Sequence, residues 1–88
     1  MRFWFRKIRD NHLVGDLTVE NYENDTRTHK IFSAVEEMCR EFDLSSPIWL
    51  KNNISDFQKG SFTRFRKDSF IDDIDFDYLE MTVLEEDW

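Results

Sequence analysis

Asp73, Asp75 and Asp77 stand at every second position, and oxygen ligands at alternate positions are how a calcium loop begins. Such a loop starting at Asp73 requires glycine at its sixth position and glutamate at its twelfth. Those positions hold Tyr78 and Leu84, and the flanks read as strand rather than helix. The three carboxylates are therefore assigned to a solvated strand face, and no metal is expected. Asp72/Asp73 and Glu85/Glu86 are adjacent carboxylate pairs. Pairs of this kind run acid–base chemistry when their surroundings split their pKa values. Neighbours on a strand point in opposite directions, and no glycine loop accompanies these to shape a pocket. His12 and His29 are far apart and have no neighbour at metal-ligand spacing. Cys39 falls on the apolar stripe of a helix, where burial disfavours its thiolate. No catalytic residue and no cofactor are assigned, and an enzyme is not expected.

Arg2-Phe3-Trp4-Phe5-Arg6-Lys7-Ile8-Arg9 and Phe62-Thr63-Arg64-Phe65-Arg66-Lys67 mix rings with bases. Single-stranded nucleic acid is held by such mixtures, with bases stacked on rings and phosphates on Lys or Arg. The commonest aromatic RNA-binding motif also needs glycine beside its rings, and neither segment has one. The rings are assigned to the core and the bases to a solvated or paired face, so direct nucleic-acid binding is disfavoured.

The elements that must position these residues follow from periodicity. Residues 2–9 read as a strand, Asp10-Asn11-His12 as a turn, and Leu13 to Glu20 as a returning strand with Leu13, Leu17 and Val19 on one face. Thr26 to Phe42 is the clearest element. Ile31, Phe32, Val35, Met38, Cys39 and Phe42 form one helical stripe, with Lys30, Glu37, Arg40 and Glu41 on the other face. Asp25 or Thr26 can cap its start, and Pro47 ends it. Ile48-Trp49-Leu50 is a short apolar anchor. Asn52 or Asn53 then caps a brief helix carrying Ile54 and Phe57, stopped at Gly60. Phe62 to Lys67 reads as a third strand. From Asp73 a period-2 run places Ile74, Phe76 and Tyr78 on one face, and Leu79, Met81 and Val83 then take over the other, with a bulge or bend near Tyr78-Leu79. The order β-β-α-(α)-β-β predicts a single α+β domain over residues 1–88. It has a small antiparallel sheet and one main amphipathic helix packed on one face.

A chain of 88 residues buries roughly 60–65 % of its unfolded surface, and nine Phe, three Trp and two Tyr supply large apolar area for that core. One cysteine forms no internal disulfide, which fits a reducing cytoplasm. No signal peptide and no run long enough to span a membrane is read.

Charge is segregated. Asp68 to Trp88 hold nine acids and no base, whereas residues 1–9 and 59–67 each hold four bases and no acid. A tail strand lying beside one or both basic segments would place opposite charges across the sheet and resist register slips. The surplus then lies in residues 10–58, with ten acids and four bases. A partner-binding acidic face is sought there, at Glu36, Glu37, Glu41, Asp16, Glu20 and Glu23.

Asp25-Thr26-Arg27-Thr28-His29-Lys30, Pro47-Ile48-Trp49-Leu50 and the stretch from Ser69 to Glu80 resemble segments of short bacterial proteins of uncharacterised function. The resemblance spans most of the chain and implies no activity and no site residues. The expectation from the residues themselves is a small acidic cytoplasmic protein-binding module, regulatory or inhibitory. It meets a protein with a basic surface by electrostatically guided contact. The alternatives are a nucleic-acid mimic that blocks a DNA- or RNA-binding protein, a single-strand binder, and a self-associating structural subunit. Mimicry meets a magnitude problem. Same-face residues on a strand repeat every ~6.8 Å, whereas duplex DNA carries a charge per ~1.7 Å. Several elements would have to converge.

Overall fold

Arg9 pairs with His12 across Asp10 and Asn11, which both adopt the left-handed region at φ 52° and 63°. Asp and Asn tolerate that conformation, and two such residues in succession make the turn whose twist matches a hairpin. The hairpin joins β1 (Arg2–Arg9) to β2 (His12–Glu20), so His12 begins a strand rather than completing the turn. The computed structural model describes residues 1–87. After the hairpin come α1 (Arg27–Phe42), α2 (Lys51–Lys59), β3 (Phe62–Arg66), one 3-10 turn (Lys67–Ser69) and β4 (Tyr78–Glu85). The molecule is α+β, with a four-stranded antiparallel sheet in the order β2-β1-β4-β3. The acidic tail strand β4 thus lies between the two basic strands β1 and β3.

Register decides which side chains are buried. Phe3 and Phe5 of β1, Leu79, Met81 and Val83 of β4, Thr63 and Phe65 of β3 and Val19 of β2 share the buried face. Ile31, Ala34, Val35, Met38 and Cys39 of α1 and Phe57 of α2 join the same core. Leu13 does not. Val14 is an extra residue in β2, so Leu13 lies opposite Ile8 on the other face and is 53 % exposed. A bulge of this kind turns the following side chains over.

The helix ends follow their caps. Thr26 Oγ1 accepts the N–H of His29 at 3.2 Å, and Asp25 Oδ1 accepts the N–H of Thr26 at 2.8 Å. Asp43, left-handed at φ 54°, ends α1 before Pro47 is reached. Lys30 departs from the helical pattern. Expected on the solvated face, it is 3 % exposed, because its ammonium pairs with Asp87. The second helix is capped at Leu50, not at Asn52 or Asn53. Asn53 sits inside the first turn, and its Oδ1 accepts the Leu50 N–H at 3.0 Å. Gly60 follows its last residue.

The largest departure is the run from Asp73. Residues 70–77 are irregular, and the strand starts only at Tyr78. Phe70 and Phe76 are buried and meet edge to face at 5.9 Å, while Asp73, Asp75 and Asp77 face solvent. The alternation comes from a loop that turns Ile74 and Phe76 toward the core. Lys67 likewise belongs to the 3-10 turn rather than to β3.

Three carboxyls sit below their usual pKa range. The Thr26 backbone N–H, then the His29 side chain, lowers Asp25. Arg27 lowers Glu86 through bonds of 2.9 Å to each oxygen. Lys30, then the chain's amino terminus, lowers Asp87. A carboxyl depressed by folding stabilises the protein above its unfolded value of about 4, and that contribution is lost as pH falls through the folded value. The urea midpoint is expected to hold from pH ~7 to ~5 and to drop below pH ~4. Arg27→Gln should flatten that drop; an equally steep one would remove Glu86 from the account.

Candidate functional site

The exposed face of the sheet carries the aromatic and basic residues that could meet a nucleic acid, and they are already engaged. One rung runs Asp16–Arg6–Glu80–Arg64 through all four strands, alternating in sign. Glu80 pairs with Arg6 and, at 2.8 Å, with Arg64 Nε. Arg6 lies 4.3 Å from the centre of the Trp4 ring, and Trp4 Nε1 donates to Asp16 Oδ2 at 3.0 Å. Arg64 and Arg66 cover Tyr78 at 4.8 and 5.3 Å, and Arg64 also lies 5.3 Å from Phe62. A base stacking on the arginine-covered side of one of these rings would displace a cation–π contact.

The six acids chosen from the sequence do not form one patch. Glu36, Glu37 and Glu41 are exposed on α1. Asp16 and Glu20 alternate with Leu17 and Val19 along β2, so they point away from the core to the opposite side of the sheet. Glu23 is in the loop before α1, its N–H bonded to Asn21 Oδ1 at 3.0 Å. On α1 itself, at ~100° per residue, Glu36 shares a flank with Phe32, while Glu37 and Glu41 turn toward the other flank.

That first flank borders a concavity of about 290 Å³ between α1 and α2. Ile31 and Phe57 line it from within, and Trp49 supplies an aromatic wall. Phe32 and Ile54 stand at the lips, 45 % and 49 % exposed, so each leaves a large apolar surface in water. Arg27, Thr28 and Gln58 are its polar members. The wall is held from three sides. Trp49 meets Phe32 and Phe65 edge to face at 5.5 and 5.0 Å and Phe57 at a tilt at 5.8 Å. The segment that carries it is tied down by the Ile48 N–H, which donates to the Ser69 carbonyl at 2.6 Å. The hollow thus pairs an apolar floor and wall with three polar residues. Comparison with protein-family models, with characterised proteins and with solved structures finds no match.

By sequence pattern Phe32, Ile54, Phe57 and Trp49 are core or anchor residues. The sign of a site is that the apolar stripe of α1 is wider than its buried strip. Cys39 lies on this side of α1 and is nearly covered, and burial raises its thiol pKa, as expected for a structural cysteine. Arg27 is committed to Glu86, and its Nη1 also donates to the Phe57 carbonyl at 3.4 Å. It braces the hollow's rim.

A second concentration of charge lies at the end of the molecule where β1 turns into β2. Asp77 Oδ2 accepts the Asp10 N–H at 2.8 Å, Arg9 Nη1 donates to the Asp75 carbonyl at 3.2 Å, and Asp72 accepts from the Ser45 hydroxyl. Asp43, Asp72 and Asp73 share a hollow with Leu44, Phe70 and Ile74. Among the described residues, Asp72, Asp73, Asp75 and Asp77 make no salt bridge to the basic strands, and Glu80 is the tail acid that bonds to strand arginines.

Proposed function

We propose that this chain is a protein-binding module, regulatory or inhibitory, that acts by contact and performs no chemistry of its own. The supporting observation is the aromatic-walled hollow between the helices, with Phe32 and Ile54 left half in water. Binding energy concentrates where a partner side chain fills such a pocket and is sealed from solvent around it. In this reading α1 is an amphipathic cover for the sheet on its inner side and a contact surface on its outer side. The net charge of −7 selects a partner with a basic surface and accelerates encounter with it. The single, nearly buried cysteine fits a cytoplasmic setting.

The test is affinity capture from the native cell on the wild-type chain and on Phe32→Asp and Ile54→Asp, with folding checked by urea midpoint. A partner whose affinity falls about thirtyfold or more on either substitution matches loss of a central anchor. A partner retained equally by all three chains places the contact elsewhere.

A second reading, the nucleic-acid mimic, gains support from one observation. Asp10, Asp43, Asp72, Asp73, Asp75 and Asp77 come from three segments and gather at one end, which is the convergence that a single strand lacks. A mimic competes with nucleic acid for its target. A target that holds the module and its nucleic acid together at full affinity excludes that reading.

A further inference from the structure

The flank of α1 that borders the hollow runs on past it to a second depression. Thr28, Phe32, Glu36, Cys39 and Asp43 lie within one sector of the helix at ~100° per residue. Glu36, Cys39 and Asp43 border a second depression with Leu44, and Asp43 and Leu44 also border the hollow that holds Asp72 and Asp73. The flank is therefore a track, apolar at the Phe32–Trp49–Ile54 end and acidic at the Asp43–Asp72–Asp73 end. Among the described residues, no salt bridge engages Glu36, Asp43, Asp72 or Asp73. Arg40 adds a single base to the lining of the second depression. The acidic end thus carries four carboxylates outside any salt bridge, on the same flank as an uncovered apolar surface.

We propose that this track receives a basic amphipathic segment of a partner protein. A bulky apolar side chain enters the hollow against Trp49, and two or more Lys or Arg side chains lie over Asp43, Asp72 and Asp73. The inference rests on the protein-binding reading and adds the chemistry of the bound segment. Phe32 and Asp43 are eleven positions apart on α1, so the anchor and the bases are separated by about 16 Å at a rise of 1.5 Å per residue. A helical segment spans that distance in about eleven residues and an extended one in about five. The hollow is large enough for one leucine-, methionine- or phenylalanine-sized group. Charge complementarity, not area, fixes the sign of the partner.

The experiment is selection from a phage-displayed library of random peptides about 16 residues long, on the immobilised full chain, with fluorescence anisotropy on the selected peptides. The expected peptides carry one bulky apolar residue and a basic group at one of the two spacings. Their affinity falls about tenfold between ~50 and ~300 mM salt, and about tenfold in the Asp43→Asn/Asp72→Asn/Asp73→Asn variant, while Phe32→Asp abolishes binding. The neutral variants preserve shape, and their urea midpoints show that the fold is retained. Peptides without basic residues, or binding unchanged in the triple variant, overturn the inference. The binding-module reading then survives if Phe32→Asp still abolishes binding. Basic peptides with no apolar anchor, indifferent to Phe32→Asp, overturn it in favour of the mimic reading. Failure to enrich any peptide also overturns it, and capture of a whole protein partner then decides the broader reading alone.

Discussion

Glu80→Ala is expected to lower stability by about 2–3 kcal/mol, seen as a fall of about 1–2 M in the urea midpoint. The Glu80 side chain is 6 % exposed and sits between Arg6 and Arg64, which are 29 % and 41 % exposed. Removing the carboxylate leaves two guanidinium groups in one rung, whose remaining acid is Asp16 at its far end. Truncating one partner of a fully buried pair costs about 3–5 kcal/mol. The part-exposed arginines retain some hydration, and this brings the figure down. Arg6 Nε raises the cost, since among the described residues it is buried without a hydrogen-bond partner of its own. A triple variant separates charge from packing. Arg6→Met/Glu80→Leu/Arg64→Met removes all three charges and fills the space, so most of the lost stability should return. If Glu80→Ala stays within about 0.5 kcal/mol of wild type, the rung is an ordinary surface pair.

The ladder is legible in the sequence as arithmetic. Two basic segments and one acidic tail of matching size predict a shared sheet, and β4 does lie between β1 and β3. Which acids take part is not legible, because alternation alone does not make a strand. Ile8 and Tyr78 form the last pair of the β1–β4 ladder, and β1 then turns back at Asp10 and Asn11. Asp77 meets that turn, its N–H donating to the Ile8 carbonyl at 2.8 Å, and residues 73–76 have no strand left to pair with. Their period of two records only Ile74 and Phe76 dipping into the core. Lys30 escapes its helical pattern for a related reason. Its counter-ion is 57 positions away, and no local pattern contains it. The candidate site is half legible. The sequence supplies Phe32 as part of a wide stripe and Trp49 as an anchor. Whether that stripe is covered depends on where residues 44–50 set α2 down, which rests on contacts such as Ile48 to Ser69. The acids expected to act together are separated by the core itself, with Asp16 and Glu20 on one side and the α1 glutamates on the other.

Asn53→Leu is expected to cost about 3 kcal/mol or more although it replaces a polar core residue with an apolar one of similar size. Asn53 is fully buried, and each polar atom of its side chain is used. Oδ1 accepts the Leu50 N–H, and Nδ2 donates to Thr63 Oγ1 and to the Arg64 carbonyl, both at 2.9 Å. The Thr63 hydroxyl in turn donates to Asp56 Oδ2 at 2.7 Å. Leu50 has no side-chain acceptor with which to cap α2, so Asn53 closes the first turn and fixes the helix to β3 at the same time. Leucine would strand a backbone donor and a backbone acceptor, each costing about 1–3 kcal/mol when buried. Asn53→Asp isolates the hydrogen bonds from the packing. It keeps the shape and the acceptor, but at neutral pH it puts a carboxylate oxygen where Nδ2 had faced the Arg64 carbonyl. Its deficit relative to wild type should shrink on acidification, because a protonated carboxyl donates again and burial of the charge raises that pKa. The stability deficit carries into binding, since Ile54 and Phe57 of the hollow ride on the turn that Asn53 closes. Anisotropy titrations of Asn53→Asp, at a pH and urea concentration where most of the chain is still folded, should show weaker binding in step with the lost anchorage of α2. Asn53→Leu within about 1 kcal/mol of wild type would mean that α2 is held by packing alone. The hollow would then owe its shape to Trp49 and its three aromatic neighbours.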